Sequence, residues 1–287
     1  MSRIVHLSDI HLRGREGKEY HNALALFRHI NAQHAGDTVV ITGDLCDDGR
    51  LNQIKALNEL LTTHLTDVYT LLAPGNHDYA LWGNLLNHDS YRNWHHHLGC
   101  PRAPRSVNRL TGPWFQSASE PWEHQALGPC RGVGLFIRDD VNTAFIAVDS
   151  ADWEDREVLA RGLVTPRQSR AVRTLLEHPR LEGFTRVVFL HHHPFIRASL
   201  ATFTDYPEAW AMELTGATEF MEAVSGRCDL LLFGHRHVAE TWEHAYGIPL
   251  IAAARKSTSA LDGHLYYKSY RVEDHTVIQE MHQAPVR

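Results

Sequence analysis

Apolar and polar positions along the chain alternate between two periods. Residues 4–7 (IVHL), 38–42 (TVVIT) and 68–72 (VYTLL) are compact apolar runs that stop at Ser, Gly or Pro-Gly, the pattern of strands buried on both faces. Between them, 19–32 and 51–65 carry apolar residues at three- and four-residue spacing, which predicts amphipathic helices. The order β-α-β-α-β predicts a parallel sheet covered by helices. The same reading predicts further strands at 134–138, 143–149, 186–190 and 230–233, and helices at 167–176 and 208–224. The last third turns β-rich, around 250–253, 265–271 and 276–281.

Residues 81–132 break this rhythm. They are rich in Trp, His, Asn, Pro and Gly (WFQSASEPWEHQALGPC), and read as an inserted cap or a long loop over one face of a single domain spanning 1–287. Neither an internal repeat nor a linker-like tract marks a second domain boundary.

Where the strands end, polar clusters begin. The first strand runs into Ser8-Asp9-Ile10-His11, the second into Gly43-Asp44-Leu45-Cys46-Asp47, and the third through Pro74-Gly75 into Asn76-His77-Asp78. Later strands run into His191-His192-His193-Pro194 and Gly234-His235-Arg236-His237. The carboxyl ends of parallel strands converge on one crevice, so segments far apart in sequence can share one site. A triplet at 95–97 has no strand leading into it and reads as a solvated histidine run.

Composition sharpens this picture in three ways. Net charge of −6 and a pI near 6.4 argue against an obligate nucleic-acid binder, which would gather Lys and Arg against phosphates. Cys46, Cys100, Cys130 and Cys228 lack C-x-x-C spacing, as expected of reduced thiols rather than a disulfide framework. With no 18-residue apolar stretch and a start (MSRIVHLSDIHL) that resembles no signal peptide, the chain reads as cytoplasmic and without a membrane partner. Twenty-two histidines are many, and position decides which of them form a site.

Aspartate, histidine and asparagine at five strand ends supply seven or eight hard or borderline donors without a thiolate. Such a set suits Mn2+, Fe, Zn2+ or Co2+ better than a structural zinc cage. It is too large for one tetrahedral ion, whereas two ions about 3.5–4 Å apart sharing a carboxylate would use it fully.

Taken in order, Asp9-x-His11, Gly43-Asp44-x-x-Asp47, Gly75-Asn76-His77-Asp78, the histidines before Pro194 and Gly234-His235-x-His237 resemble the calcineurin-like metallophosphoesterase superfamily. HLSDIHL, TGDLCDDG and LFGHRH are most similar to its class III cyclic-nucleotide phosphodiesterase branch, which includes glycerophosphodiesterases. The resemblance implies an α/β fold, a four-layer α/β/β/α sandwich of two mixed sheets flanked by helices, with a dinuclear centre at the strand ends. It assigns Asp9, His11 and His237 to one ion, Asn76, His192 and His235 to the other, and Asp44 as the bridge. His192 is taken from the family's His-x-Pro register, with His191 and His193 as alternatives. The implied cofactors are two divalent ions, Mn2+ first.

The implied reaction is hydrolysis of a small phosphodiester, a cyclic nucleotide or a glycerophosphodiester, by a metal-bridging hydroxide. In it His77 acts on the phosphate or leaving oxygen, Asp78 orients its imidazole, and Asp47 supports from behind. Arg236 is a candidate phosphate contact, and a solvent-facing arginine is the alternative. A manganese-dependent nuclease acting on DNA and a broad phosphomonoesterase are the competing readings, and a non-catalytic scaffold is disfavoured by the complete ligand set.

Overall fold

A computed structural model describes residues 3–79, 90–99, 101–105, 132–151, 161–195, 214–273 and 276–286. The first three strands, β1 (Ile4–Leu7), β2 (Thr38–Thr42) and β3 (Tyr69–Ala73), are parallel as predicted, with helices α1 (Lys18–Gln33) and α2 (Leu51–His64) between them. On the far side of β1 the sheet continues antiparallel through β12 (His264–Glu273) and β13 (Thr276–Pro285), giving the order β13-β12-β1-β2-β3.

A second sheet has the order β10-β11-β9-β7-β5-β4. Its strands are β4 (Val133–Arg138), β5 (Thr143–Val148), β7 (Thr185–Phe189), β9 (Leu230–Phe233), β10 (Glu240–Ala245) and β11 (Ile248–Ala253). The middle four are parallel and the two edges antiparallel. Two-residue strands β6 (Gly162–Leu163) and β8 (Leu214–Thr215) form a small parallel pair beside it.

The apolar residues show how the layers stack. Successive side chains on a strand point to opposite faces, and the second sheet divides accordingly. Phe145, Ala147, Val187, Phe189, Leu230, Leu232, Leu250 and Ala252 join the core that contains β1–β3, α1 and α2. Their neighbours Ile146, Val148, Val188, Leu231, Phe233 and Ile251 join a separate core with helices α4 (Pro166–Leu176) and α5 (Ala217–Val224). Strands buried on both faces explain the unbroken apolar runs of the sequence. The result is a four-layer α/β/β/α sandwich of two mixed sheets.

Three expectations change in detail. The last hairpin, β12–β13, adds two antiparallel strands to the first sheet, which is therefore mixed instead of parallel. Within 81–132, residues 90–97 form a helix, α3 (Ser90–His97), while 80–89, 100 and 106–131 lie outside the described residues. His95 is buried there and its ring faces Tyr79 Oη at 3.1 Å, so the 95–97 run is not uniformly solvated. The helix expected over 208–224 is found at Ala217–Val224, preceded by β8, with 208–213 outside the described residues. Among the described residues no helix is long and apolar enough to cross a membrane.

Candidate metal centre and active site

Each polar cluster leaves its strand through a tight reversal. The loops after β1 and β2 stay hydrogen-bonded to each other: Asp9, His11 and Leu12 N–H donate to the carbonyls of Gly43, Asp44 and Leu45 at 2.9–3.0 Å. Gly43, at φ +84°, permits the turn, and a Cβ there would sit 2.6 Å from His191 Cγ, so glycine is what lets the histidine approach. Asp9, His11, Asp44, His235 and His237 all hold positive φ, between 48° and 76°.

The side chains assemble into two groups joined at one carboxylate. On one side His11 and His237 bring their Nε2 atoms to 3.1 Å, and His237 Nε2 lies 3.2 Å from Asp9 Oδ1. On the other side, His191 Nε2 lies 3.2 Å from His235 Nδ1, and the His192 ring centroid is 4.6 Å from that of His235. Asp44 Oδ2 reaches both groups, 3.6 Å from His11 Nε2 and 3.3 Å from His191 Nε2. Asn76 sits between Gly75 and His77, and the His77 N–H donates to Asp44 Oδ1 at 2.9 Å.

The histidines before Pro194 part company. His191 Nδ1 donates to the Thr42 carbonyl at 2.7 Å, which leaves Nε2 with its lone pair turned to Asp44 and His235. His192 Nδ1 is 2.9 Å from Ser150 Oγ, and its Nε2 makes no hydrogen bond. His193 turns away, with Nδ1 2.6 Å from the Phe195 carbonyl and its ring edge-on to Phe233. His191 and His192 therefore both wall the site.

These residues fit divalent cations. Asn76 Oδ1, His192 Nε2 and His235 Nε2 are buried and lack hydrogen-bond partners, a costly arrangement for polar atoms unless something accepts their lone pairs. Burial holds His235 down to about 3, aided by His191, and holds His192 well below the usual imidazole range. Burial likewise lowers His11 against the pull of Asp44 and Asp9. Neutral imidazoles are the form that ligates metal. Asp44 stays well below the carboxylate range although burial opposes ionisation, because His191, His77 and His11 surround it. His191 is pulled the other way from its neighbours. Burial disfavours its charge, and Asp44 and Asp9 lift it to about 9.

His77 stands at the mouth, half-buried, with its ring edge-on to His11 at 4.7 Å. Its Nδ1 donates to the Asp47 carbonyl at 2.8 Å, leaving Nε2 as the free ring atom. Burial opposes its charge, but Asp44 and the Asp47 carbonyl raise its pKa.

The expected partnership with Asp78 is corrected by this geometry: Asp78 accepts from the backbone N–H groups of Leu45, Cys46 and Gly75 and clips the loop after β3 to the loop after β2. Burial, with Asp44 nearby, raises Asp78 to about 7 against those three bonds. Asp47 supports the site as expected, through His77 and through Oδ1, 3.4 Å from His11 Nδ1. Arg236 is exposed beside the cluster. Cys46 is fully buried, and burial with the surrounding aspartates pushes its thiol pKa up, which makes it inert.

Sequence reading missed Ser150, Thr42 and Lys256. Ser150 follows β5 within Asp149-Ser150, a sixth polar strand end whose signal was present but short. Its position is fixed by Gln168, which forms a capping box with Thr165 and also donates to the Asp149 carbonyl at 2.7 Å. Lys256 acts on His11 through its charge and sits in a loop with no motif.

Residues 2–239 match the family model for calcineurin-like phosphoesterases. The chain belongs to that family. As a calcineurin-like phosphoesterase it is a hydrolytic enzyme. It is 37% identical over 93 residues to a probable cyclic nucleotide phosphodiesterase of Coxiella burnetii, a match spanning 30% of this chain and 34% of that protein. Among solved structures, a dimetal phosphatase from Danio rerio superposes with a TM-score of 0.57 at 10% identity, covering 100% of this chain and 99% of the other. A sulfate thiohydrolase from Thermus thermophilus gives 0.50 at 12% identity, covering 99% of this phosphoesterase and 56% of that chain. At these identities the likeness is one of fold.

Proposed function

We propose that this phosphoesterase binds two divalent cations, Mn2+ first, and hydrolyses small phosphodiesters of the cyclic-nucleotide or glycerophosphodiester type. The observation that carries the reading is Asp44 Oδ2 reaching both His11 and His191, so that two ligand groups share one carboxylate. Asp9, His11 and His237 would hold one ion. Asn76 and His235 would hold the other with an imidazole of the His191-His192 pair, and the direction of His191 Nε2 favours that residue. Two bound cations supply Lewis-acid stabilisation of the phosphoryl oxygens and acidify water.

The protein's own groups supply the rest. The Asp47 carbonyl holds the His77 ring so that Nε2 can give a proton to the leaving oxygen as the P–O bond breaks, and the raised pKa of His77 favours the protonated donor. Water's remaining oxygen stays on phosphorus, giving a phosphomonoester and an alcohol. The choice of a diester rests on the partial match to the Coxiella burnetii protein and on a net charge of −6, which disfavours long polyanions.

The test is a comparison of turnover by the Mn2+-loaded enzyme on 3′,5′-cyclic AMP, glycerophosphocholine, 5′-AMP and a single-stranded oligonucleotide. The expected result is turnover of the first or second exceeding that of the others. Salt-sensitive cutting of the oligonucleotide with neither small diester consumed would overturn the proposal in favour of a nuclease.

A further inference from the structure

A cavity of about 190 Å³ lies outside the metal-ligand cluster, between the sheets on the β12 side of β1. Its walls come from His6 of β1, Tyr266, Lys268 and Tyr270 of β12, and the loop after β11 that carries Arg255 and Leu261. Its size compares with the roughly 150 Å³ apolar cavity that accepts benzene.

Two polar atoms in this wall are buried without a hydrogen-bond partner, His6 Nδ1 and Tyr270 Oη. The tautomer of His6 follows from its neighbours. The Thr42 hydroxyl donates to the Leu7 carbonyl at 3.3 Å, so it accepts from His6 Nε2 at 3.0 Å. The Nε2 atom thus carries the hydrogen, and Nδ1 presents an unused lone pair. Burial, with Lys268 close by, lowers His6 to about 3 and keeps the ring neutral.

The cations point to the other half of a ligand. Lys268 is half-buried, its Nζ 3.5 Å from the Gln279 amide oxygen, and it has no carboxylate partner among the described residues. Arg255, also in the wall, has no ion pair among them either. A pure hydrocarbon would leave these groups and the two unpartnered atoms unused. Inorganic phosphate would leave the tyrosine-lined volume unfilled, and a metal ion would find no carboxylate in the wall.

We propose that this cavity is a binding site for a single-ring aromatic acid bearing a hydroxyl or amino group. The ring fills the space between the tyrosines, Lys268 and Arg255 take the carboxylate with Tyr270 Oη donating to it, and His6 Nδ1 accepts from the ring substituent. The site is independent of the metal reading, although the loop after β11 touches both. Ser8 N–H donates to Ser257 Oγ, Ser257 N–H to the Ser8 carbonyl and Thr258 Oγ1 to the Ile10 carbonyl, on either side of Asp9.

Isothermal titration of the enzyme with 4-hydroxybenzoate, in chelator-treated and Mn2+-loaded forms, tests the assignment. One molecule per chain should bind both forms with a Kd below about 1 mM, and benzoate, lacking the donor, should bind more weakly. Lys268→Met should raise the Kd about tenfold and Tyr270→Phe should raise it severalfold, with thermal unfolding confirming that each variant is folded. Three outcomes would each overturn the proposal. These are the absence of saturable heat, as from a cavity holding only water, heat seen only with Mn2+ present, as from a carboxylate on the metal centre, and affinities unchanged in both folded variants.

Discussion

Substituting Gly75 by alanine tests whether the loop after β3 is fitted to Asp44 or merely passes near it. Gly75 is not held in the left-handed region, so alanine adds no dihedral strain and its effect is steric. A Cβ there falls against Asp44 Oδ1 and the Asp44 backbone nitrogen, and 2.9 Å from Asp44 Cγ. Carbon atoms rest about 3.5–4.0 Å apart, so either Asp44 retreats by roughly 0.6–1 Å or the loop opens by as much. Overpacking of this kind costs about 1–3 kcal/mol, or roughly 2–4 °C in Tm per kcal/mol for a large domain. A misplacement near 1 Å among reacting groups costs about 10²-fold in rate. The assays are hydrolysis of bis(p-nitrophenyl) phosphate, metal content after dialysis and thermal unfolding. Gly36→Ala is the control, since nothing lies near its Cβ but its φ is +82°. It should lose about 1–2 kcal/mol to backbone strain with turnover intact. Gly75→Ala with full metal content and turnover within about threefold of the parent would refute the reasoning.

Truncating His77 to alanine should lower turnover by about 10²–10⁴-fold with metal content unchanged, and loss of metal would show that it is a ligand. His193→Asn should keep both ions because that ring faces Phe195 and Phe233, whereas His191→Ala should lose one. If metal analysis shows the loss in His192→Ala alone, His192 is the ligand. Arg138→Met should lower stability with turnover unchanged. Its buried guanidinium serves the Gly36 carbonyl and Thr38 Oγ1 at the strand ends away from the site, and a stranded acceptor costs about 1–3 kcal/mol, read by denaturant unfolding. Adding Mn2+ to chelator-treated enzyme should raise Tm, by the equivalent of about 2.7 kcal/mol at a hundredfold excess over Kd.

What the chain discloses unaided follows the range of each interaction. The strands β1–β3 and the helices between them were readable because their signals are local: apolar runs, helical spacing and abrupt polar ends. Boundaries shifted by a residue, as for β3 and β7. The strand β10 escaped notice because ETWEHA is an edge strand with little burial and no alternation. Placement of β12 against β1 depends on pairing Ile4 with Tyr270, a contact across most of the chain that no local pattern encodes. The site was legible as a set of residue types but not as a wiring. Asp78 sits beside His77 in sequence, yet its carboxylate serves three backbone N–H groups while the Asp47 carbonyl holds the imidazole. Adjacent side chains on the 3-10 turn Asn76–Tyr79 point in different directions, so neighbours in sequence need not be partners.

That wiring explains how the ligands hold their positions. Among the described residues, five of the nine non-glycine residues with positive φ are Asp9, His11, Asp44, His235 and His237. A side chain that must turn back over the end of its own strand requires such a reversal. Glycine would make it freely but offers no donor, whereas Asp and His tolerate it best among ligand residues. At about 1–2 kcal/mol each, five such residues carry roughly 5–10 kcal/mol of strain, comparable to the net stability of a whole domain. Contacts inside the protein must offset it. The ladder from Asp9, His11 and Leu12 to the carbonyls after β2 and the Asp78 clip across two loops contribute to that offset. The clip holds the loop that carries Asp44, so a substitution that loosens it harms catalysis through Asp44 even where every ligand residue remains.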